Sequence, residues 1–199
     1  MSRRPLLVVI SGCSGVGKDA ILARMKERGL PFFYAVTATS RPMRPGERDG
    51  VDYYFLSREE FERMVQQGEF LEWANVYGNL YGVPKRTVRQ ALAEGRDAIV
   101  KVDVQGAATI KRMEPEAVLI FIAPPSMEEL ERRLRERKTE SGTDLALRLE
   151  TAKKEMEEMP LFDHVVISHN EGIDQAIDEI LAIVEKERAR RGALGEGAS

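Results

Sequence analysis

The sequence is poor in cysteine, histidine and tryptophan, with one, two and one of them respectively among 199 residues. A single cysteine, Cys13, excludes an intrachain disulfide, which fits a reducing compartment, and we expect a cytoplasmic protein. No histidine or second cysteine lies near Cys13 in the sequence, so neither a catalytic thiol nor a metal role is expected for it.

Long hydrophobic runs are also missing. The apolar run at residues 6–10 is too short for a signal sequence or a membrane span, so no membrane association is expected. The formal net charge of −3 argues against a general nucleic-acid-binding protein. The hydrophobic fraction of 43% is typical of a soluble globular protein, and the length suits one domain.

A phosphate-binding loop is the strongest local signal that the sequence contains. A short apolar run leads into GCSGVGK at residues 12–18, and an amphipathic pattern follows at once. Strand, loop and helix in this order are the context that such a loop requires, because backbone N–H groups and the helix N-terminus together face the phosphate. A glycine-rich turn with a chance lysine is the alternative, which the flanking elements disfavour. The expected ATP-phosphate ligands are Gly12, Cys13, Ser14, Gly15, Val16, Gly17, Lys18 and Asp19.

Strand and helix patterns alternate along the chain and predict an α/β fold, a three-layer P-loop NTPase-type core with a parallel sheet. Residues 39–83 are expected to form a small α+β insertion, whose helix begins with a capping box at Ser57 and Glu60. The predicted core therefore comprises 1–38 and 84–191, with a helical lid at about 133–150, and 192–199 are expected to be a disordered tail. Further core strands are expected at 32–37, 98–104, 117–123 and 164–167.

Several ordered motifs, over nearly the whole chain, resemble those of the guanylate kinase family. Besides the loop, they are SRPMRPGE at 40–47, GVDYYF at 50–55, GEFLEWA at 68–74, YG at 81–82, VDVQG at 102–106 and IFIAPPS at 120–126. The resemblance implies transfer of phosphate from ATP to GMP and dGMP with Mg²⁺ as cofactor. It implies small-molecule partners, ATP and GMP, and we expect no nucleic-acid partner and a monomer or homodimer.

Two arginines three residues apart, Arg41 and Arg44, suit one phosphate monoester, because guanidinium groups match phosphate oxygens. The resemblance assigns them to the GMP phosphate, together with the hydroxyl groups of Tyr53 and Tyr81. A solvated basic loop held by its prolines is the alternative interpretation of the same stretch.

Recognition of guanine is expected from Glu72, which lies between apolar neighbours on a predicted strand. A carboxylate there can accept hydrogen bonds from guanine N1–H and the 2-amino group, an arrangement that adenine does not offer. The resemblance adds Thr37, and Val83 stands where the family usually has a Ser or Thr. It also places Asp103 near guanine or the arginines, and a capping aspartate is the alternative.

The helix that starts near residue 127 mixes arginine with glutamate, which ordinarily indicates an exposed helix. The resemblance assigns Arg133 and Arg137, with Arg148 on the next helix, to a lid over ATP. With Lys18 and Arg41 they are the predicted catalytic residues, since phosphoryl transfer needs alignment and charge neutralisation rather than covalent chemistry.

Asp19 departs from the usual loop pattern, in which a Ser or Thr hydroxyl binds Mg²⁺. Lys101 departs as well, because the family usually has an acid two residues before the position of Asp103. We therefore expect Asp19 to pair with Lys101 and to reach Mg²⁺ directly or through water. Two independent changes are the alternative.

Three functions compete at this point. The first is an active GMP kinase, the second a guanylate-kinase-like protein-binding module without catalysis, and the third another small-molecule kinase on the same fold. The intact loop, Lys18 and the arginines favour the first, whereas Val83 leaves the third open.

Overall fold

The computed structural model describes residues 4–76, 78–136, 142–169 and 172–196. Its strands are β1 Leu7–Gly12, β2 Phe33–Tyr34, β3 Ala38–Thr39, β4 Tyr54–Phe55, β5 Phe70–Val76, β6 Asn79–Pro84, β7 Ala98–Lys101, β8 Val118–Ala123 and β9 His164–Ile167. Its α-helices are α1 Lys18–Glu27, α2 Arg58–Gln66, α3 Lys85–Ala93, α4 Val104–Met113, α5 Met127–Glu136, α6 Gly142–Glu157 and α7 Ile173–Glu196.

The main sheet is parallel and has the strand order β2-β7-β1-β8-β9. Every residue of β1 and β8 is buried, as expected for strands covered on both faces. Successive β1 residues pack to opposite sides: Val8 joins one cluster with α1 and α7, and Val9 joins another with α3 and α4. This confirms the predicted α/β fold with helices on both faces of a parallel sheet.

A second, mixed sheet has the order β4-β3-β6-β5 and lies within residues 38–84. Its own small core contains Phe61 of α2 stacked on Phe70 of β5, with ring centroids 4.4 Å apart. The capping box is confirmed, since Ser57 and Glu60 hydrogen-bond reciprocally at the start of α2.

Some predicted boundaries are wrong. Strand β7 ends at Lys101 rather than continuing to 104, because Asp103 caps α4 by accepting the N–H of Gly106. Strand β2 stops at Tyr34, since the chain leaves the main sheet there and joins the second sheet at Ala38.

The predicted disordered tail is also wrong over part of its length. Helix α7 continues through Gly192 to Glu196, since arginines and alanines around the glycine favour helix, while residues 197–199 lie outside the described residues. None of the helices in the described ranges is long and apolar enough to span a bilayer.

Candidate active site

The glycine-rich loop lies at the carboxyl end of β1, between that strand and α1. Gly12 adopts φ 137°, and a Cβ at this position would lie 2.1 Å from the carbonyl oxygen of Ile122. Gly15 and Gly17 also have positive φ, which residues with a side chain rarely adopt. Backbone conformation therefore favours glycine at all three positions, and the close approach of β8 also requires it at Gly12.

Lys18 is the first residue of α1, and its side chain turns back over the loop. The Nζ atom donates to the carbonyl oxygens of Gly12, at 2.5 Å, and of Cys13, at 2.9 Å. Burial lowers the pKa of Lys18, and the nearby charge of Glu155 opposes that shift. The loop thus surrounds its own lysine, which is the arrangement that a phosphate-binding lysine needs.

Asp19 and Lys101 form the expected ion pair between α1 and β7. The strands explain the contact, because β1 and β7 are parallel neighbours with Ile10 opposite Lys101. The Asp19 side chain is 84% exposed and that of Lys101 34%, so the carboxylate remains accessible to solvent. Pairing is confirmed, whereas metal binding by Asp19 stays a prediction.

Arg41 is held by Glu47 within the 40–47 loop. Its guanidinium donates to both carboxylate oxygens, at 3.0 and 2.7 Å, and Glu47 also accepts the backbone N–H of Arg44. These bonds hold the pKa of Glu47 below its ordinary value. The guanidinium of Arg41 also lies 5.3 Å from the ring centroid of Tyr53. Glu47 therefore binds the guanidinium of Arg41 and the backbone of Arg44, which is an exposed residue.

Two tyrosines adjoin this arginine, and a cleft runs from Tyr53 toward α1. The rings of Tyr53 and Tyr81 meet edge to face, with centroids 6.1 Å apart. A cleft of about 310 Å³ is lined by Tyr53 and Thr37 on one side and by Asp19 and Lys101 on the other. A larger cavity, about 490 Å³, lies between β4, α2 and α3 and contains none of the predicted site residues.

Glu72 on β5 faces α4. Burial, with a smaller contribution from the charge of Asp103, raises the pKa of Glu72 to about 7. A Cβ on Gly106 would lie 3.0 Å from Glu72 Oε2, so α4 approaches this carboxylate through a residue without a side chain. Within the described ranges, no hydrogen-bond donor contacts the Glu72 carboxylate. Val83, opposite Glu72 on β6, is buried and offers no hydrogen bond.

The predicted lid arginines differ in their surroundings. Arg133 is nearly buried and donates to the carbonyl oxygens of Val16, at 3.2 Å, and Ser168, at 2.7 Å. Arg133 therefore links the phosphate loop, through Val16, to the segment that follows β9. Arg148 lies on α6 and is partly buried, and Arg137 is outside the described residues.

Glu155, on α6, is a site residue that the sequence reasoning missed. Its Oε2 accepts the backbone N–H of Ser14 at 2.7 Å, across 141 residues of sequence. Glu47 was missed as a partner of Arg41, although its spacing within the 40–47 motif offered a signal. No comparable signal marks Glu155, because α6 carries many glutamates.

The donors for a divalent cation near the loop are few. Among the described residues, no group of three or more His, Cys, Asp or Glu side chains comes together to hold a metal ion. Asp19 offers one accessible carboxylate, and Mg²⁺ commonly uses one or two carboxylates together with substrate phosphates and water. The residues present therefore fit Mg²⁺ bound together with a nucleotide.

Comparison with known proteins agrees with this geometry. The family model described as guanylate kinase matches residues 3–187. A guanylate kinase from Thermus thermophilus is 47% identical over 193 residues, covering 97% of this chain and 86% of that protein. One from Lactococcus lactis is 44% identical, covering 96% and 92%. The crystal structure of guanylate kinase from Anaplasma phagocytophilum superimposes with a TM-score of 0.73 at 34% identity, covering 94% of this chain and 87% of that one.

Proposed function

Because the chain belongs to the guanylate kinase family, we propose that it transfers the terminal phosphoryl group of ATP directly, in line, to GMP and dGMP. The observation that supports guanine as the base is the half-buried Glu72 carboxylate. It has two acceptor oxygens and no donor among the described residues. Guanine supplies two adjacent N–H donors, at N1 and the 2-amino group, whereas adenine presents an acceptor at N1. Thr37 and Asp103 are the proposed further guanine contacts.

The proposed acceptor phosphate site comprises Arg41, Arg44, Tyr53 and Tyr81. The Glu47 carboxylate is held by a bidentate contact with the Arg41 guanidinium and by the Arg44 backbone N–H, which supports the suitability of this loop for an oxyanion. On binding GMP, its phosphate would share or replace these contacts. The phosphate needs no separate general base, because it is already largely ionised near neutral pH.

The proposed donor site is the loop from Gly12 to Lys18. Its amide groups and the N-terminus of α1 hold the ATP phosphates, and Lys18 neutralises the charge that spreads over the transferring group. Arg133, Arg137 and Arg148 are proposed to complete this cationic enclosure when the lid closes, which also excludes water. Arg133 would have to exchange its carbonyl partners for phosphate oxygens in that step.

Mg²⁺ is proposed to bind with ATP beside Asp19, where it would neutralise phosphate charge. The ion pair with Lys101 supports this proposal, because a cation beside the Asp19 carboxylate would limit the repulsion that an acid in the loop would cause. In this way Asp19 and Lys101 together occupy the roles that a loop hydroxyl and a strand acid have elsewhere in the family.

The test is ADP release by the full chain with MgATP and each of four acceptors: GMP, dGMP, IMP and AMP. We expect GMP and dGMP to be used, and kcat/KM for IMP to be lower by about 10²-fold, since it lacks the 2-amino group that Glu72 would bind. Preference for AMP would overturn the role of Glu72. Absence of turnover with all four would indicate a binding module in place of a kinase.

A further inference from the structure

Helix α6 holds the phosphate loop from outside. Glu155 accepts the Ser14 N–H at 2.7 Å, and the Cys13 thiol lies 3.8 Å from the carbonyl oxygen of Ala152, to which it donates. Ala152 and Glu155 are three residues apart and therefore share one face of the helix. Two consecutive loop residues are thus attached to one side of α6.

The same turn is held from inside by Lys18. Its Nζ binds the carbonyl oxygens of Gly12 and Cys13, and the Cys13 oxygen also accepts the N–H of Val16 at 3.3 Å. The peptide groups around Cys13 and Ser14 are therefore fixed by a cation on one side and a carboxylate on the other. Loosening either contact would change the direction of the loop's amide groups.

The Glu155 carboxylate is costly to keep in this place. It is partly buried, and burial raises its pKa, while the Ser14 N–H and the charge of Lys18 lower it. The charge of Asp103 acts in the same direction as burial. A carboxylate beside a loop that receives ATP phosphates also repels them. The benefit that offsets this repulsion and the cost of burial is the orientation of the loop through the Ser14 N–H.

We propose that Glu155 is a positioning residue for phosphoryl transfer, which orients the phosphate loop through Ser14 and links the seating of α6 to ATP binding. Arg148 lies seven residues before Glu155, two helical turns away and on the same face of α6. A movement of α6 that brings the lid over ATP would therefore reach the loop through the same helix. The proposal rests on the proposed function, since it assigns the loop to ATP.

Glu155→Ala and Glu155→Gln separate the hydrogen bond from the charge. Glutamine keeps an oxygen that accepts the Ser14 N–H, whereas alanine removes it. We expect Glu155→Ala to raise KM for ATP and to lower kcat, each by about tenfold, with KM for GMP within about twofold. Glu155→Gln is expected to restore both parameters to within about threefold of the wild type. A purely structural residue would lower stability without separating the two substrates.

The matched control is Glu157→Ala, an exposed glutamate on the same helix, which is expected to behave like the wild type. If Glu155→Ala does not fold, Glu155→Asp withdraws the carboxylate by one methylene and should give the same ATP-selective loss. Equal kinetics for the alanine and glutamine variants, or equal losses for ATP and GMP, would overturn the proposal.

Calorimetric binding of MgATP to each full-length variant separates this inference from the proposed function. If the wild type binds MgATP but uses no guanine nucleotide, the proposed function fails, and the inference still predicts weaker binding for alanine with recovery for glutamine. If the wild type turns over GMP while all Glu155 variants bind MgATP equally, the inference alone fails.

Discussion

At the scale of single residues, burial decides what a carboxyl group in this site can do. Glu72, Glu155 and Asp103 interact electrostatically, since Asp103 raises the pKa of both glutamates. Glu47 differs, because Arg41 and the Arg44 amide hold its pKa low. The sequence allowed a base-recognition role to be predicted for Glu72 from its apolar neighbours. The sequence contains no measure of burial, so the raised pKa of this residue was not predictable from it.

Changing Glu72 to Gln should separate base recognition from ATP binding. Glutamine presents one acceptor and one donor, so one of the two guanine N–H groups faces an N–H. We expect kcat/KM for GMP to fall by about 10²–10⁴-fold, while KM for ATP stays within about twofold. Steady-state kinetics with each substrate varied in turn measures this, with the exposed Glu69→Gln as control. An equal rise of both KM values would contradict base recognition by Glu72.

The stability of the free protein should depend on pH through the same residue. Because the folded pKa of Glu72, about 7, exceeds the ordinary value of 4.5, the folded state binds more protons in between, and stability falls as pH rises from 4.5 to about 7. Glu72→Gln removes that loss. We expect its free energy of unfolding to exceed the wild-type value by roughly 1–3 kcal/mol at pH 8 and by much less near pH 5.

Urea denaturation at the two pH values, without nucleotides, gives the difference. Glu69→Gln is again the control, and its difference from the wild type should not change between the two pH values. A constant effect of Glu72→Gln across this range would mean that the Glu72 carboxyl is already ionised at pH 5 in the folded protein.

At the scale of elements, the site is assembled where parallel strands end. The loop follows β1, and Lys101 ends the neighbouring β7, so the pairing of Asp19 with Lys101 was predictable from sheet order and two unusual residues. The contact of α6 with the loop was not predictable, because it joins positions 141 residues apart with no local pattern to mark it. Likewise, β7 was expected to reach 104, since Val102 and Val104 continue an apolar run that capping by Asp103 interrupts.

The junction of α1 and β7 provides a double-mutant cycle with Asp19→Ser and Lys101→Glu. Lys101→Glu alone places two acids beside the phosphates and should lower kcat/KM for ATP by about 30-fold or more, through charge repulsion. Asp19→Ser alone leaves Lys101 without this carboxylate and should cost less. The double variant has the family's usual hydroxyl and acid, and should recover to within about fivefold of the wild type, a coupling above roughly 1 kcal/mol.

The control cycle uses the surface pair Arg58 and Glu62 on α2, whose side chains are about half exposed. Its charge-reversed variants should leave kcat/KM for ATP unchanged, since exposed pairs contribute little. Additive effects at Asp19 and Lys101 would show that the two changes arose independently.

At the scale of the whole molecule, the candidate site and the buried ion pair of Asp97 lie at opposite ends of the main sheet. The candidate site gathers at the carboxyl ends of β1 and β7, whereas Asp97 precedes β7 at the amino end. The motifs allowed the family to be predicted, and the comparisons confirm it. The sequence motifs did not indicate the contact between Asp97 and Arg188, which are 91 residues apart, because Arg188 is one of many charged residues on α7.

Asp97 connects three parts of the chain at that amino end. Its Oδ1 accepts the N–H of Leu6, next to β1, at 2.7 Å, and its other oxygen pairs with Arg188 of α7. The Asp97 side chain is fully buried and that of Arg188 is 20% exposed. Removing the carboxylate would therefore deprive the Leu6 N–H of its acceptor and leave Arg188 with the exposed Glu185 as its carboxylate partner.

We expect Asp97→Ala to lower the free energy of unfolding by about 3–5 kcal/mol. Arg188→Met should cost a similar amount, because it takes the arginine away from the fully buried Asp97 carboxylate. Chemical denaturation measures both, with Asp174→Ala, from an exposed pair with Arg24, as a control expected to cost under about 1 kcal/mol. Below the unfolding transition, GMP-dependent ADP release by all three should remain near wild type, since the contact lies at the end of the sheet away from the loop. Loss of activity in the folded Asp97→Ala protein would instead show that the amino end of the sheet shapes the site.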